Sequence, residues 1–537
     1  MNHIIYNPLE EYEKTFQSLH GEQTRQFFDR LVQQSGVDVA QNRETVRLYG
    51  EHQEYLAKLN KKLKWRRFWR VLMCITIVLI PVVIWVLNPK MRALKATIEE
   101  ADKHVNDLLE QAHQQMLPLN RLFTDRDALQ LIEDTLPLMR FEPFFSVQQE
   151  EDMRVNYDFG EQDDAEQSTT DMLAGHYNDN PFLFENKVVH TMGTQTYHGS
   201  KTIYWTESYT DSDGKRQTRQ RSETLHASVT KPKPYYNSRV VLNYCAQGGP
   251  ELSFTRDAEH LEQKSDRALE RHIKRGEKKL KKMTDKAIKS DSDFMSMSNS
   301  EFEVLFDALD RTNEVQFRTL FTPLAQTNLV ALIRSKTGYG DDFQFLKHKR
   351  TNRILSDHSQ GRGINLLPSD YISHSFDTIQ ENFIEKNAEF FRAVYFDFAP
   401  LLAIPLYQER PVHSLKPIPD SAQTYSLKES EALANAAHSH YMVHPDTKTQ
   451  AILKSAFIRS ADKVDEICVT AYSYDIEKRV EYVSVHGGDG HWHDVPVEWD
   501  LYLPLEARNV FRVATTDITA AHHHSVIAQR NGLCLFQ

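Results

Sequence analysis

Cysteine is scarce and scattered. Cys74, Cys245, Cys468 and Cys534 are the only four in 537 residues, too few and too far apart for a disulfide framework, and none forms a C-x-x-C pair with metal-ligand spacing. Catalytic signatures are equally sparse. No serine sits in a G-x-S-x-G elbow, no His-Glu-x-x-His appears, and neither a phosphate-loop lysine nor a G-x-G-x-x-G fingerprint is present. An excess of positive charge is also missing. The net charge of -11 argues against a nucleic-acid binder with a broadly basic surface, although local basic stretches exist. Long hydrophobic runs number one, so a polytopic membrane protein is excluded. With 26% charged and 40% apolar residues the composition is otherwise that of ordinary folded domains, and the length allows two to four of them.

The single hydrophobic run lies at Val71 to Leu87, inside nineteen charge-free residues bracketed by Arg70 and Lys90. At 1.5 Å per residue it just reaches across a bilayer core. This predicts a transmembrane helix over residues 65–90, anchored by Trp65, Trp69, Val71, Leu72, Ile75, Leu79, Ile84, Trp85 and Leu87, with the tryptophans at the interfaces. Seven basic residues between Lys58 and Arg70, against Lys90, Arg92 and Lys95 beyond the run, place the N-terminus in the cytoplasm and the C-terminal body outside. An odd number of cysteines in that body favours a reducing compartment instead, so the two signals disagree. The expected location is the cell membrane, single-pass.

Residues 1–64 read as a helical region rich in Glu, Gln, Arg and Leu. After the run, Leu94, Ile98, Ala101, Val105, Leu108 and Ala112 recur at alternating four and three spacing. This is a heptad seam, read over 91–140 either as a coiled-coil stalk that oligomerises through Leu94, Ile98, Val105 and Leu108 or as a helix packed on its own domain. The acidic stretch Glu150 to Asp171 reads as a solvated loop. Lys201 to Tyr209 and Arg219 to Val229 read as a β-hairpin turning at Asp213-Gly214, ended by Pro232 and Pro234. Lys264 to Lys289 holds eleven basic residues against four acids on a helical pattern. Lys274, Arg275, Lys278, Lys279, Lys281 and Lys282 are its candidate lipid-facing cations, with a solvated helix face as the plainer reading.

Two segments carry a family resemblance. TIYWTESYTDSDGKRQTRQRSETLHASV is similar to a strand pair around an acidic Asp-Gly turn, and FEVLFDALDRTNEVQFRTLFTPLAQTNLVALI, from Phe302 to Ile333, resembles an aromatic-rich start, acidic spacer, Arg and Leu-x-x-Pro before a helix. Both resemble an uncharacterised family of bacterial membrane proteins with N-terminal transmembrane helices and an α+β soluble region, over about residues 95–355. The resemblance implies a membrane-attached α+β domain and no particular activity. Relatives often carry two hydrophobic runs where this chain has one. Independently of the family, Thr322-Pro323 reads as a helix start.

The expected fold is therefore α+β with antiparallel strands, an α+β domain over 141–355 and a second over 365–537. In the latter, His486, His491, His493 and Asp494 cluster around a Gly-Gly-Asp-Gly turn, offering imidazole and carboxylate ligands for zinc, while His438, His440 and His444 with Asp446, and His522 to His524, form further groups. The same segment reads as two strands with exposed histidines. Gly338 to Asp342 and Gln360 to Gly363 read as turns. The expected function is a membrane-anchored binding or scaffolding protein without a cofactor. The alternatives are a metal-dependent hydrolase using the C-terminal histidines and an anionic-lipid sensor using the basic helix.

Overall fold

The computed structural model describes residues 4–75, 85, 87–160, 166–210, 212–213, 215–290, 296–411, 424–436, 441–461 and 464–514. Its helices include α1 (Gln17–Ser35), α2 (Val39–Ile75), α3 (Asn88–Asn120), α4 (Asp127–Thr135), α5 (Val147–Tyr157), α6 (Asp266–Ser290), α7 (Ser300–Phe306), α8 (Pro323–Arg334), α9 (Phe376–Leu402) and α10 (Leu427–Ala436), with shorter helical turns at Pro8–Glu11 and Glu314–Leu320. Its strands are β1 (Met139–Phe141), β2 (Gln167–Tyr177), β3 (Asn180–Thr210), β4 (Arg216–Cys245), β5 (Ser253–Arg256), β6 (Phe343–His348), β7 (Thr351–Ser356), β8 (Ile452–Ala461), β9 (Val464–His486) and β10 (Trp492–Ala514). Helix and antiparallel sheet are mixed, an α+β fold. The chain divides into a helical unit, Glu10–Pro137 with Asn365–Tyr395, and a sheet unit containing Leu138–Ile364 and Phe396 onward.

In the helical unit, rings and aliphatic side chains from α1, α3, α4 and α9 meet in a core of Phe28, Met116, Leu119, Leu131, Ile379 and Phe383. His20 is buried beside it, within 3.0 Å of Thr135 Oγ1 and 3.2 Å of Asn387 O, and stacks on Phe391. Burial pushes its imidazole pKa down to about 4. Helices α2 and α3 run antiparallel. Asn42 Nδ2 donates to Gln115 Oε1 at 3.3 Å, the His52 and His104 rings meet at 4.6 Å, and Arg66 Nη1 donates to Lys90 O at 3.0 Å. Of the heptad seam, Val105, Leu108 and Ala112 are buried and Leu94 and Ile98 half-buried.

That pairing corrects the reading of a single-pass membrane protein. No helix among the described residues is long and apolar enough to cross a membrane. A single span sets its flanks about 30 Å apart, whereas Arg66 and Lys90, on either side of the run, are in hydrogen-bond contact. The N-inside, C-outside assignment falls with it, as does the cell-membrane location built on the span. Of the expected anchors, Leu79 and Ile84 lie outside the described residues, as do the side chains of Val71, Leu72 and Ile75. Trp65, Trp69 and Trp85 are exposed, and Leu87 is half-buried.

The sheet unit is built on a seven-stranded antiparallel sheet ordered β1-β2-β3-β4-β7-β6-β5. Here Thr322 does cap α8, its hydroxyl accepting from Ala325 N with Pro323 in the first turn. The stretch read as a solvated acidic loop is α5 and the start of β2, with residues 161–165 outside the described set. A capping box between Ser146 and Gln149 starts that helix, and Met153 and Tyr157 bury its inner side. At Gly276 in α6 a Cβ would stand 2.4 Å from Val304 Cγ1, so glycine permits the close approach of α7.

Two buried cations are held very differently. Lys428 on α10 reaches Glu185 Oε1 at 2.7 Å, while Asn243 Nδ2 takes the other oxygen at 2.6 Å. Lys347 has no carboxylate within 4 Å among the described residues. Its ammonium donates to Gly248 O at 2.8 Å and Lys349 O at 2.5 Å, and burial pushes its pKa down to about 7.

Strands β3 and β4 outrun their neighbours. β2 pairs with β3 only through Val189, and β7 pairs with β4 only from Leu242 to Cys245. The rest, Thr191 to Thr210 against Arg216 to Tyr235, continues as a two-stranded ribbon. About twenty residues at 3.3 Å each make it roughly 65 Å long. The hairpin does not end at Pro232 and Pro234, which pair with Thr194 and Met192. Among the described residues the outer edge of β4 has no ladder partner there, so a missing N–H costs no bond between strands.

Candidate functional site

Alternation along β3 and β4 sorts the ribbon into two faces. Odd positions face a second hairpin, β9 and β10, which belongs to the three-stranded sheet β10-β9-β8. Ile203, Leu225 and Val495 form a small core between the hairpins, with Trp205, Ala227 and Val485 packed around it. Gly199 admits the β10 backbone, since a Cβ would lie 2.1 Å from Pro496 O. Lys231 is caught between the Trp499 ring, 4.6 Å away, and the Glu481 carboxylate. An isolated two-stranded ribbon is marginal in water, and this stacking stiffens it into an arm.

Even positions face outward and are exposed from Met192 to Thr210 and from Arg216 to Pro232. Of these nineteen, thirteen carry a hydroxyl and only Arg216 is charged. The chain-wide 26% charge would put about five charges there, so the face is charge-poor by sequence, not by accident of burial. Thr196 and Thr230 hydroxyls pair across the strands at 3.0 Å, and Thr202 and Thr224 at 3.1 Å, which orders this surface. Tyr204 stands 80% exposed in its middle.

A polar cleft of about 560 Å³ lies over the other end of the large sheet, lined by residues including Asp158, Lys187, Asp310, His348 and Arg353. Several of its charges hold local structure. Asp310 accepts from Thr255 N at 2.9 and 3.1 Å, Asp158 accepts from Arg350 at 2.8 Å, and Arg353 donates to Gly160 O at 3.1 Å. Ser253 Oγ and His348 Nδ1 stand 3.4 Å apart in the cleft. Among the described residues no carboxylate orients the other ring nitrogen, so the pair lacks the third member of a nucleophile relay.

The two sequences read as turns come together in space. His358 bridges two carboxylates, with Nδ1 2.6 Å from Asp342 Oδ2 and Nε2 3.4 Å from Asp397 Oδ1. Ser359 Oγ donates to Asp397 at 2.7 Å, Arg362 Nη2 donates to both Ser359 Oγ and Asp397 at 3.1 Å, and Tyr339 stacks on His358 at 3.8 Å. Asp341 turns the other way to the buried Arg256. The His358 and Asp397 side chains are 5% and 3% exposed, so this network clamps the 338–342 and 358–363 loops to α9 from within.

The C-terminal histidines are dispersed over one hairpin tip. His493 Nε2 contacts both Asp489 oxygens at 3.0 and 2.9 Å on the inner face. His486 and Asp494 lie on the outer face, His486 edge-on to Trp492 and Asp494 accepting from Ser484 Oγ at 2.6 Å. His491 is exposed in the turn. No three potential ligands are grouped for a metal among the described residues. His438, His440 and His522 to His524 lie outside those residues, and His444 stays beside Asp446 at 3.6 Å. On α6, the six candidate cations are exposed, while Leu269, Ile273 and Leu280 are buried on the side where Gly276 meets α7.

Comparison with protein-family models, with curated proteins and with solved structures finds no match for the chain. Function therefore rests on the chemistry of these surfaces. The outward arm face was the feature sequence reading missed. Its signal was the Thr-x-Thr and Ser-x-Thr alternation on both sides of Lys201 and Val229, the limits at which the predicted strands stopped.

Proposed function

We propose that the chain is a binding or scaffolding protein that presents its β3–β4 arm to a partner. The observation that carries this reading is the outward face: long, charge-poor, hydroxyl-lined and stiffened from behind by a second hairpin. Solvent alone asks nothing of such a face, and a ribbon kept only for solubility carries Lys and Glu. Preorganisation lowers the ordering cost of binding, and the paired threonines and stacked hairpins supply it. The cleft with Ser253 and His348 is subsidiary, since several of the charged groups around it are engaged with the protein's own backbone and side chains.

The test is photo-crosslinking from the full chain in its native cell. A photoreactive residue at Thr206 or Ser222 is expected to trap a discrete partner that the same residue at Glu381, an exposed helical site, does not. Equal trapping at all three positions, or none from the arm, overturns the proposal.

A further inference from the structure

The basic helix α6 is unusual in how its charges are arranged, not in how many it has. Residues 266–290 contain ten Lys or Arg and four acids. In a solvated helix the acids sit four residues from the bases and offset them. Here three of the four acids are drawn off the helix: Asp266 pairs with Lys336 at 2.9 Å, Glu270 with Arg334 at 3.6 Å, and Glu277 accepts from Ser300 Oγ at 2.7 Å. The cations are left facing one another. Lys274, Arg275, Lys278, Lys279, Lys281 and Lys282 are exposed, and none has a carboxylate within 4 Å among the described residues. The pairs 274/278, 278/282, 275/279 and 271/275 are like charges one turn apart, each destabilising the helix.

We infer that this face of α6 is a docking surface for the phosphate backbone of a nucleic acid. The helix carries a net +6, so the remainder of the chain carries -17 to give the total of -11. A polyanion is therefore disfavoured by the acidic average of the remaining surface and admitted where cations cluster, on this face and on the exposed basic stretch from Lys58 to Arg70. Successive cations along the helix are one turn, about 5.4 Å, apart, and a duplex offers a charge every 1.7 Å or so of its axis. Several phosphates thus fall within reach of the stripe. Lysines predominate, and as flexible point charges they contact phosphates without reading bases, so the contact is independent of sequence. A lipid headgroup layer is the weaker fit. An amphipathic helix holds a bilayer by burying its apolar side, and in α6 that side is buried within the protein.

The experiment is fluorescence anisotropy of a labelled 20-base-pair DNA duplex titrated with the full chain between 50 and 200 mM KCl, alongside vesicles of phosphatidylserine and poly-glutamate as competitor. Micromolar binding at 50 mM salt is expected, with log Kd against log salt rising at a slope of about 4.5 to 5.5 for five or six neutralised phosphates. The Lys278→Glu, Lys279→Glu, Lys281→Glu, Lys282→Glu variant should lose binding at least tenfold with unchanged circular dichroism and melting temperature. The corresponding Gln variant, which removes repulsion within the helix, should lose it while melting no lower than the parent. No binding at 50 mM, a variant that binds as well as the parent, tighter binding to the vesicles than to DNA, or equal displacement by poly-glutamate overturns the inference.

Discussion

Lys347 offers a direct test of the sheet unit's interior. Its ammonium has three oxygen neighbours, Gly248 O, Lys349 O and Asn352 Oδ1 at 3.5 Å, and no carboxylate within 4 Å among the described residues. Burial lowers its pKa from 10.5 to about 7. Between those values the unfolded chain holds the proton and the folded chain does not, so stability contributed by this group rises with pH across that window. At about 1.4 kcal/mol per pH unit, the full span corresponds to about 5 kcal/mol, a cost fully present below pH 7 and gone above 10.5. Lys347→Met removes the titration. It also leaves Gly248 O and Lys349 O without a donor, a loss of roughly 1 to 3 kcal/mol each that does not depend on pH. Denaturant midpoints and slopes measured for both proteins from pH 6 to 10 separate the two effects, because every other group titrates in both. The difference, parent minus variant, should be flat below pH 7 and climb by about 4 kcal/mol from pH 7 to 10. Parallel profiles would refute the assignment of a neutral buried lysine.

In the helical unit, His20 has its pKa lowered from 6.5 to about 4, so parent stability should fall by about 3 kcal/mol as pH drops through that window, and the fall should be absent in His20→Gln. Gly276→Ala should lower stability by roughly 1 to 2 kcal/mol despite the better helix propensity, since overpacking against Val304 costs more than alanine gains. Val304→Ala in the same chain should recover the loss, as read by melting temperature. Lys428→Ala should cost about 3 to 5 kcal/mol by leaving the fully buried Glu185 without its nearest cation, measured by denaturant unfolding.

Local chemistry was legible wherever one segment decides its own state. Thr322-Pro323 marked a helix start, the Gly-Gly-Asp-Gly turn marked a hairpin, and the Lys264 to Lys289 period marked a helix, because caps, turn residues and apolar spacing act within a few residues. Ser146 and Gln149 were just as local, but the acidity of Glu150 to Asp171 masked them. Pro232 and Pro234 were misread for a different reason. Whether a proline ends a strand depends on whether its missing N–H faces a neighbour, and only the sheet's strand order says so.

What the sequence alone determined is the α+β class, the mixed helical and strand periods, and the presence of one apolar run and one basic helix. The rest was decided by long-range pairing. The contact of Arg66 with Lys90 set the flanks of the apolar run side by side, and residues near Gly338 met residues near Gln360 around His358. The acids of α6 left their own helix for Lys336, Arg334 and Ser300. Each of these joins groups far apart in the chain, where spacing carries no information and only the packing of whole elements chooses the partner.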